Sequence, residues 1–159
     1  MKKQRTLFRD RSTLRVIRSS SRASAAKGKT GYKSNNIRYI VVHSTGTKSD
    51  MLLSQMDKLP YHFLVTRAGK LLSLKKPLST DGTIEIALIG GLDKEGNHID
   101  CRTERQNDTL FNKLVQLLER YPNAKIVPAD KVYLYAYPNP GFSLQQWITD
   151  YVPAFLRAA

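Results

Sequence analysis

Four side chains hold most of the metal-ligating and nucleophilic chemistry in this sequence: His43, His62, His98 and Cys101. A single cysteine excludes an internal disulfide framework and any metal cluster built from thiolates alone. Three histidines leave few ways to build a nitrogen-ligated metal site, which needs several donors converging on one point. His98 and Cys101 have metal-like spacing, but two ligands in one hairpin are weak grounds for a site. They read as a surface imidazole and a buried thiol. His43 closes the apolar run Ile37-Arg38-Tyr39-Ile40-Val41-Val42-His43, and His62 sits in Tyr61-His62-Phe63. Taken singly, such histidines and tyrosines are more often packed, hydrogen-bonded residues than ligands or bases. Tyr133, Tyr135 and Tyr137 alternate along the chain, a period of two that predicts an added strand with one aromatic face. That face would fill a groove or dock a partner.

The elements that must position these residues follow from local patterning. The run ending at His43 is rich in β-branched residues and stops at Ser44-Thr45-Gly46, so it reads as a strand. Leu52, Leu53, Met56 and Leu59 have helical spacing before Pro60. Residues 61–66 read as a second strand, and Arg67-Ala68-Gly69-Lys70 as a hairpin turn into Leu71–Leu74. Thr83–Ile89 is a third apolar run, ended by Gly90-Gly91, with a polar hairpin or loop after it through Asp93–Asn97. Thr103 and Gln106 have the spacing of a capping box, each side chain satisfying an otherwise unpaired backbone N–H. Leu110, Phe111, Leu114, Leu117, Leu118 and Tyr121 then form one apolar stripe. Lys125–Val127 is a short strand, and Ser143 caps a last helix carrying Leu144, Trp147, Ile148 and Tyr151. The order predicts an α/β domain, a mixed central sheet flanked by helices.

Size and charge bound the rest. The 159 residues suit one domain, with 41% hydrophobic and 25% charged residues. No apolar run approaches the ~20 residues of a membrane-spanning helix, so membrane insertion is not expected. The net charge of +13 is uneven. Residues 1–36 carry eleven Lys and Arg against one acid, Asp10, while residues 37–159 carry fifteen basic and twelve acidic residues. Residues 1–36 therefore read as a basic, flexible N-terminal arm and residues 37–159 as the folded domain. Lys2, Lys3, Arg5, Arg9, Arg11, Arg15, Arg18 and Arg22 are the candidate contacts to a polyanion, either nucleic acid or an acidic protein surface. A solubilising tail without a specific partner is the plainer alternative. Arg9-Asp10-Arg11, Arg15 and Arg18 interrupt the apolar residues of the arm, so no signal peptide is expected. The chain is expected to be cytoplasmic as synthesised.

Five segments in order carry a family resemblance: Val41-Val42-His43-Ser44-Thr45; Tyr61-His62-Phe63 before an Arg-x-Gly hairpin; Ile86–Asp93; the Thr103 helix ending Arg120-Tyr121-Pro122-Asn123-Ala124; and Pro138-Asn139-Pro140-Gly141-Phe142. Over residues 37–152 the chain resembles the zinc-dependent N-acetylmuramoyl-L-alanine amidases. That group includes phage lysozyme-type amidases and peptidoglycan recognition proteins. The resemblance implies their fold and their chemistry, cleavage of the amide between the peptidoglycan sugar and its stem peptide. In it, a zinc ion held by two His and one Cys or Asp activates a water molecule.

Carried over residue by residue, the resemblance implies a depleted centre. The first zinc His falls on His43, the Tyr beside the metal on Tyr61, and a packing His on His62. The second zinc His falls on Ala129, the Cys or Asp ligand on Tyr137, and an occasional catalytic Lys on Tyr135. A one-residue shift of the loop would offer Asp130 as a substitute ligand. Only 17 residues separate His43 from Tyr61, a stretch that looks short for the family. The expectation is an inactive amidase-fold protein with no cofactor, serving as a structural or binding component, with peptidoglycan a candidate partner. Incorporation in a phage- or mobile-element-derived particle fits the arm. The alternative is an active zinc amidase.

Overall fold

The computed structural model describes residues 36–49, 53–78, 81–134 and 138–151. Residues 1–35 of the arm, Tyr135, Tyr137 and the stretch around Pro153 lie outside the described residues.

Five strands form one sheet in the order β3-β2-β4-β1-β5. They are β1 (Tyr39–Ser44), β2 (Phe63–Val65), β3 (Leu71–Ser73), β4 (Thr83–Leu88) and β5 (Lys125–Pro128). β4 lies parallel between β1 and β2, β5 is parallel to β1 at one edge, and only β3 runs antiparallel. A strand with neighbours on both sides and layers above and below is buried on both faces. That is why β1 and β4 read as continuous apolar runs, not as alternating ones.

One face of the sheet presents Ile40, Val42, Phe63, Val65, Ile84, Ile86 and Leu88 to two helices, α2 (Glu104–Arg120) and α3 (Leu144–Tyr151). Leu110, Leu114 and Leu117 of α2 and Leu144, Trp147 and Ile148 of α3 complete this main core. The opposite face carries a smaller cluster, Leu64, Ala87 and Ile89 with Met56 of the short helix α1 (Leu53–Met56). Because side chains alternate across a strand, His43 and Glu85 belong to this second face with Ala87.

Local signals account for the ends of the elements. The capping box at Thr103 and Gln106 is present with both reciprocal hydrogen bonds. Glu104 in the first turn and Arg120 in the last complement the helix dipole. Ser143 accepts the Gln146 N–H at the start of α3. The 67–70 hairpin turns at Gly69, whose φ of +83° leaves no room for a side chain. A Cβ there would sit 2.8 Å from the Cβ of Arg105.

Two expectations are corrected. The second strand is shorter than residues 61–66, because His62 places its ring nitrogen where a ladder acceptor would be: the Glu85 N–H donates to His62 Nδ1 at 2.9 Å. The tyrosine-lined strand is not formed over residues 132–134. β5 runs instead into a 3-10 turn, Ala129–Lys131, and the Val132 and Tyr133 N–H groups both donate to the Ala129 carbonyl. That tight turn ends the extended chain, and a side-chain hydrogen bond then fixes Tyr133.

Candidate functional site

The site lies on the smaller face of the sheet, at the C-terminal end of β1. His43 is the penultimate residue of that strand and is 7% exposed, and Glu85 on β4 is 6% exposed. In the parallel register His43 stands opposite Ala87 and Glu85 opposite Val41, so the two side chains are offset by one step on the same face. Ala87 offers only a methyl group, and the imidazole leans past it. His43 Nε2 meets the Oε2 atom of Glu85. The other carboxylate oxygen, Oε1, accepts the Tyr133 hydroxyl proton at 2.7 Å. The rings of Tyr61 and Tyr133 flank the imidazole at centroid distances of 4.9 and 5.7 Å.

The electrostatics follow from that packing. Burial pushes the Glu85 carboxyl up, but hydrogen bonds from His43, Tyr133 and Thr83, with the His43 charge, outweigh it and hold the group below the usual range. Glu85 is therefore an anion at neutral pH. Burial, then the hydrogen bond to this anion, pushes the Tyr133 phenol up to about 12. Burial and the same charge raise Tyr61. Both phenols keep their protons, and the Tyr133 proton is committed to Glu85.

A second imidazole supports the first layer. His62 is 2% exposed. Since the Glu85 N–H can only donate, His62 Nδ1 is the acceptor, and Nε2–H points at Asp81 Oδ2, 3.1 Å away. His62 thereby fixes the backbone of the residue that holds His43. Asp81 accepts the Leu78 N–H and then the His62 proton, and these bonds depress its carboxyl below the ordinary value of 3.8. A depressed carboxylate adds stability that is present above its unfolded pKa and is lost as pH falls through the folded one. Urea unfolding across the acid range should show this loss below about pH 4 in the wild type, and a flatter profile there in Asp81→Asn.

The loop of residues 138–142 is anchored by Asn139. Its side-chain amide accepts the Ser44 N–H at 2.6 Å and donates to the Ser44 carbonyl at 3.2 Å. It extends the ladder of β1 by one rung.

The candidates drawn from the sequence fall out as follows. His43 and Tyr61 come together. Ala129 follows Pro128, the partner of Val42, so it lies beside His43; it is buried and carries only a methyl group. Asp130 is exposed, and its N–H faces the Asn139 carbonyl. Cys101 accepts the Gly91 N–H through its sulfur. Glu85, Tyr133 in its hydrogen-bonding role, and Asn139 were not picked out by sequence reasoning. Their signals were an acid inside an otherwise apolar strand, and an Asn between two prolines that lack N–H groups.

A catalytic zinc site needs three protein donors with one open position. Among the described residues no three His, Cys, Asp or Glu side chains come together as a metal site. Ala129 has no donor atom, and the Nε2 of His43 faces a carboxylate of its own chain. The described residues do not fit that metal.

No family model matches the chain, and no curated protein matches it by sequence. Solved structures do. An endolysin of the Thermus scotoductus bacteriophage Ph2119 superposes with a TM-score of 0.53 at 19% identity, over 82% of this chain and 94% of that one. The N-acetylmuramoyl-L-alanine amidase LysC of Clostridium intestinale gives 0.54 at 17% identity, over 79% and 93%. A Drosophila peptidoglycan recognition protein, PGRP-SD, gives 0.53 at 16% identity, over 81% and 90%. The chain has the fold of this group, as the resemblance implied.

Proposed function

We propose that this protein is a non-hydrolysing member of the amidase fold, a binding or structural component whose domain meets peptidoglycan or its fragments. The observation that carries the reading is the engagement of the His43 ring nitrogen by Glu85, next to a methyl group at Ala129. An imidazole so engaged does not present that nitrogen to a hydrolytic metal, and among the described residues no set of three donors gathers around it. Peptidoglycan as the ligand is supported by the names of the structures that share the fold, an amidase and a peptidoglycan recognition protein. The basic arm then serves as an electrostatic anchor to nucleic acid or an acidic protein surface. A place in a phage- or mobile-element-derived assembly suits both parts.

Co-sedimentation of the full-length protein with insoluble peptidoglycan tests the reading. The domain's contribution persists at high salt, where screening removes attachment through the arm. Protein that stays in the supernatant at high salt would refute peptidoglycan as the ligand. Binding to nucleic acid through the arm should instead fall steeply with salt, since each neutralised phosphate releases counterions.

A further inference from the structure

Glu85 is the buried acid of this site to which the five matching segments assigned no role. It interrupts an apolar strand with strands on both sides, between Ile84 and Ile86, which are both fully buried. A carboxylate in such a place is costly unless each oxygen finds a partner. Here each oxygen is met by a different element. Oε2 takes His43 of β1, and Oε1 takes Tyr133 from the segment that follows the 3-10 turn after β5. The residue itself belongs to β4, so one carboxylate joins three parts of the chain around the end of the sheet.

A bound metal ion does the same mechanical work, holding separate segments to one point through their donor atoms. We infer that Glu85 is an internal replacement for a cation: a fixed crosslink that occupies the Nε2 of His43 and ties down the segment carrying Tyr133. The contact itself supports it. The position at Nε2 that a metal would use is already taken by the Glu85 oxygen. A cation could reach that nitrogen only by breaking the contact. The Tyr133 hydroxyl, committed to the other oxygen, further steadies the anion in place.

The crosslink concerns what holds this end of the sheet and does not depend on peptidoglycan being the ligand. The test uses the full-length protein, its imidazole NMR spectrum and its thermal unfolding, with excess Zn2+ or a chelator added. In the wild type neither addition should move Tm, and the His43 Nε2–H proton should appear as a protected, strongly downfield signal. Glu85→Gln keeps the shape but removes the charge, and that signal should lose its downfield shift. Glu85→Ala should lose the signal and lower Tm by roughly 10 °C, the effect of stranding one partner of a buried pair in a domain of this size. A Zn2+-induced rise in wild-type Tm with movement of the His43 resonances would overturn the inference. So would a His43 signal that is unchanged in Glu85→Gln. If Glu85→Ala does not fold, the wild-type and Glu85→Gln measurements still decide. Amide hydrolysis without any zinc effect would sink the proposed function and leave the crosslink standing.

Discussion

Replacing His43 with alanine should destabilise the domain by about 3 kcal/mol at neutral pH, read from urea unfolding. The side chains of His43 and Glu85 are 9% and 8% exposed, so neither partner is well served by water if the other is removed. Without the imidazole, Glu85 keeps its bonds to Tyr133 and Thr83 but loses its His43 partner, and must either stay an under-solvated anion or take up a proton. Either course costs free energy, and the space left between the Tyr61 and Tyr133 rings adds a packing loss. The variant also separates two views of this residue. A histidine that waits for a metal contributes little to the metal-free protein, and its removal would be nearly neutral. A histidine that completes a buried hydrogen-bonded pair with a carboxylate is missed at once, whatever metal is present. The loss should shrink toward acid pH, where protonation of Glu85 relieves the stranded charge.

Gln106→Leu should cost a similar amount, about 3 kcal/mol, through a different mechanism. Gln106 is fully buried, and its amide uses all four of its hydrogen-bonding positions. Nε2 donates to the carbonyl of Val65, the last residue of β2, at 3.2 Å and to that of Ile89, just past β4, at 3.0 Å. Oε1 accepts from the Thr103 N–H at 3.1 Å and the Arg67 guanidinium at 3.2 Å. Leucine has nearly the right volume and none of these groups. The Val65 carbonyl still receives the Ile89 N–H, and Arg67 still reaches the Cys101 carbonyl. The Ile89 carbonyl and the Thr103 N–H lose partners that water cannot easily replace, at about 1–3 kcal/mol each. Gln106→Glu keeps the cap acceptor but brings carboxylate oxygens against two carbonyls, so it should not rescue the protein. Thermal unfolding of the two variants beside Thr103→Ala, which removes the cap hydroxyl and its bond to the Arg67 carbonyl and should cost about 1 kcal/mol, separates the cap from the strand-end contacts.

The framework was legible because local and tertiary demands agree. A β-branched run cut off by Ser44, the Thr103-to-Gln106 spacing and the stripe from Leu110 to Tyr121 each say one thing, and the sheet asks for the same thing. The order of five motifs led to the right fold although identity to any reported neighbour is below 20%. The site was harder. Gln106 was visible as a cap but not as a clamp on two strand ends, because those carbonyls come from residues far along the chain. Glu85 sits in a run whose apolar character made its strand plain and its charge look incidental. Its meaning arises only when β1 and β4 become parallel neighbours and place it one step from His43. Tyr133 misled through its period of two. Alternation predicts a strand only where the chain can stay extended, and at Val132 and Tyr133 the turn at Ala129–Lys131 still holds both N–H groups.

Purified peptidoglycan incubated with the full-length protein, with excess Zn2+ in one portion and a chelator in another, decides whether this fold still cuts its amide bond. No free stem peptide is expected in either portion. Release that Zn2+ supports and the chelator abolishes would contradict a site closed by its own carboxylate.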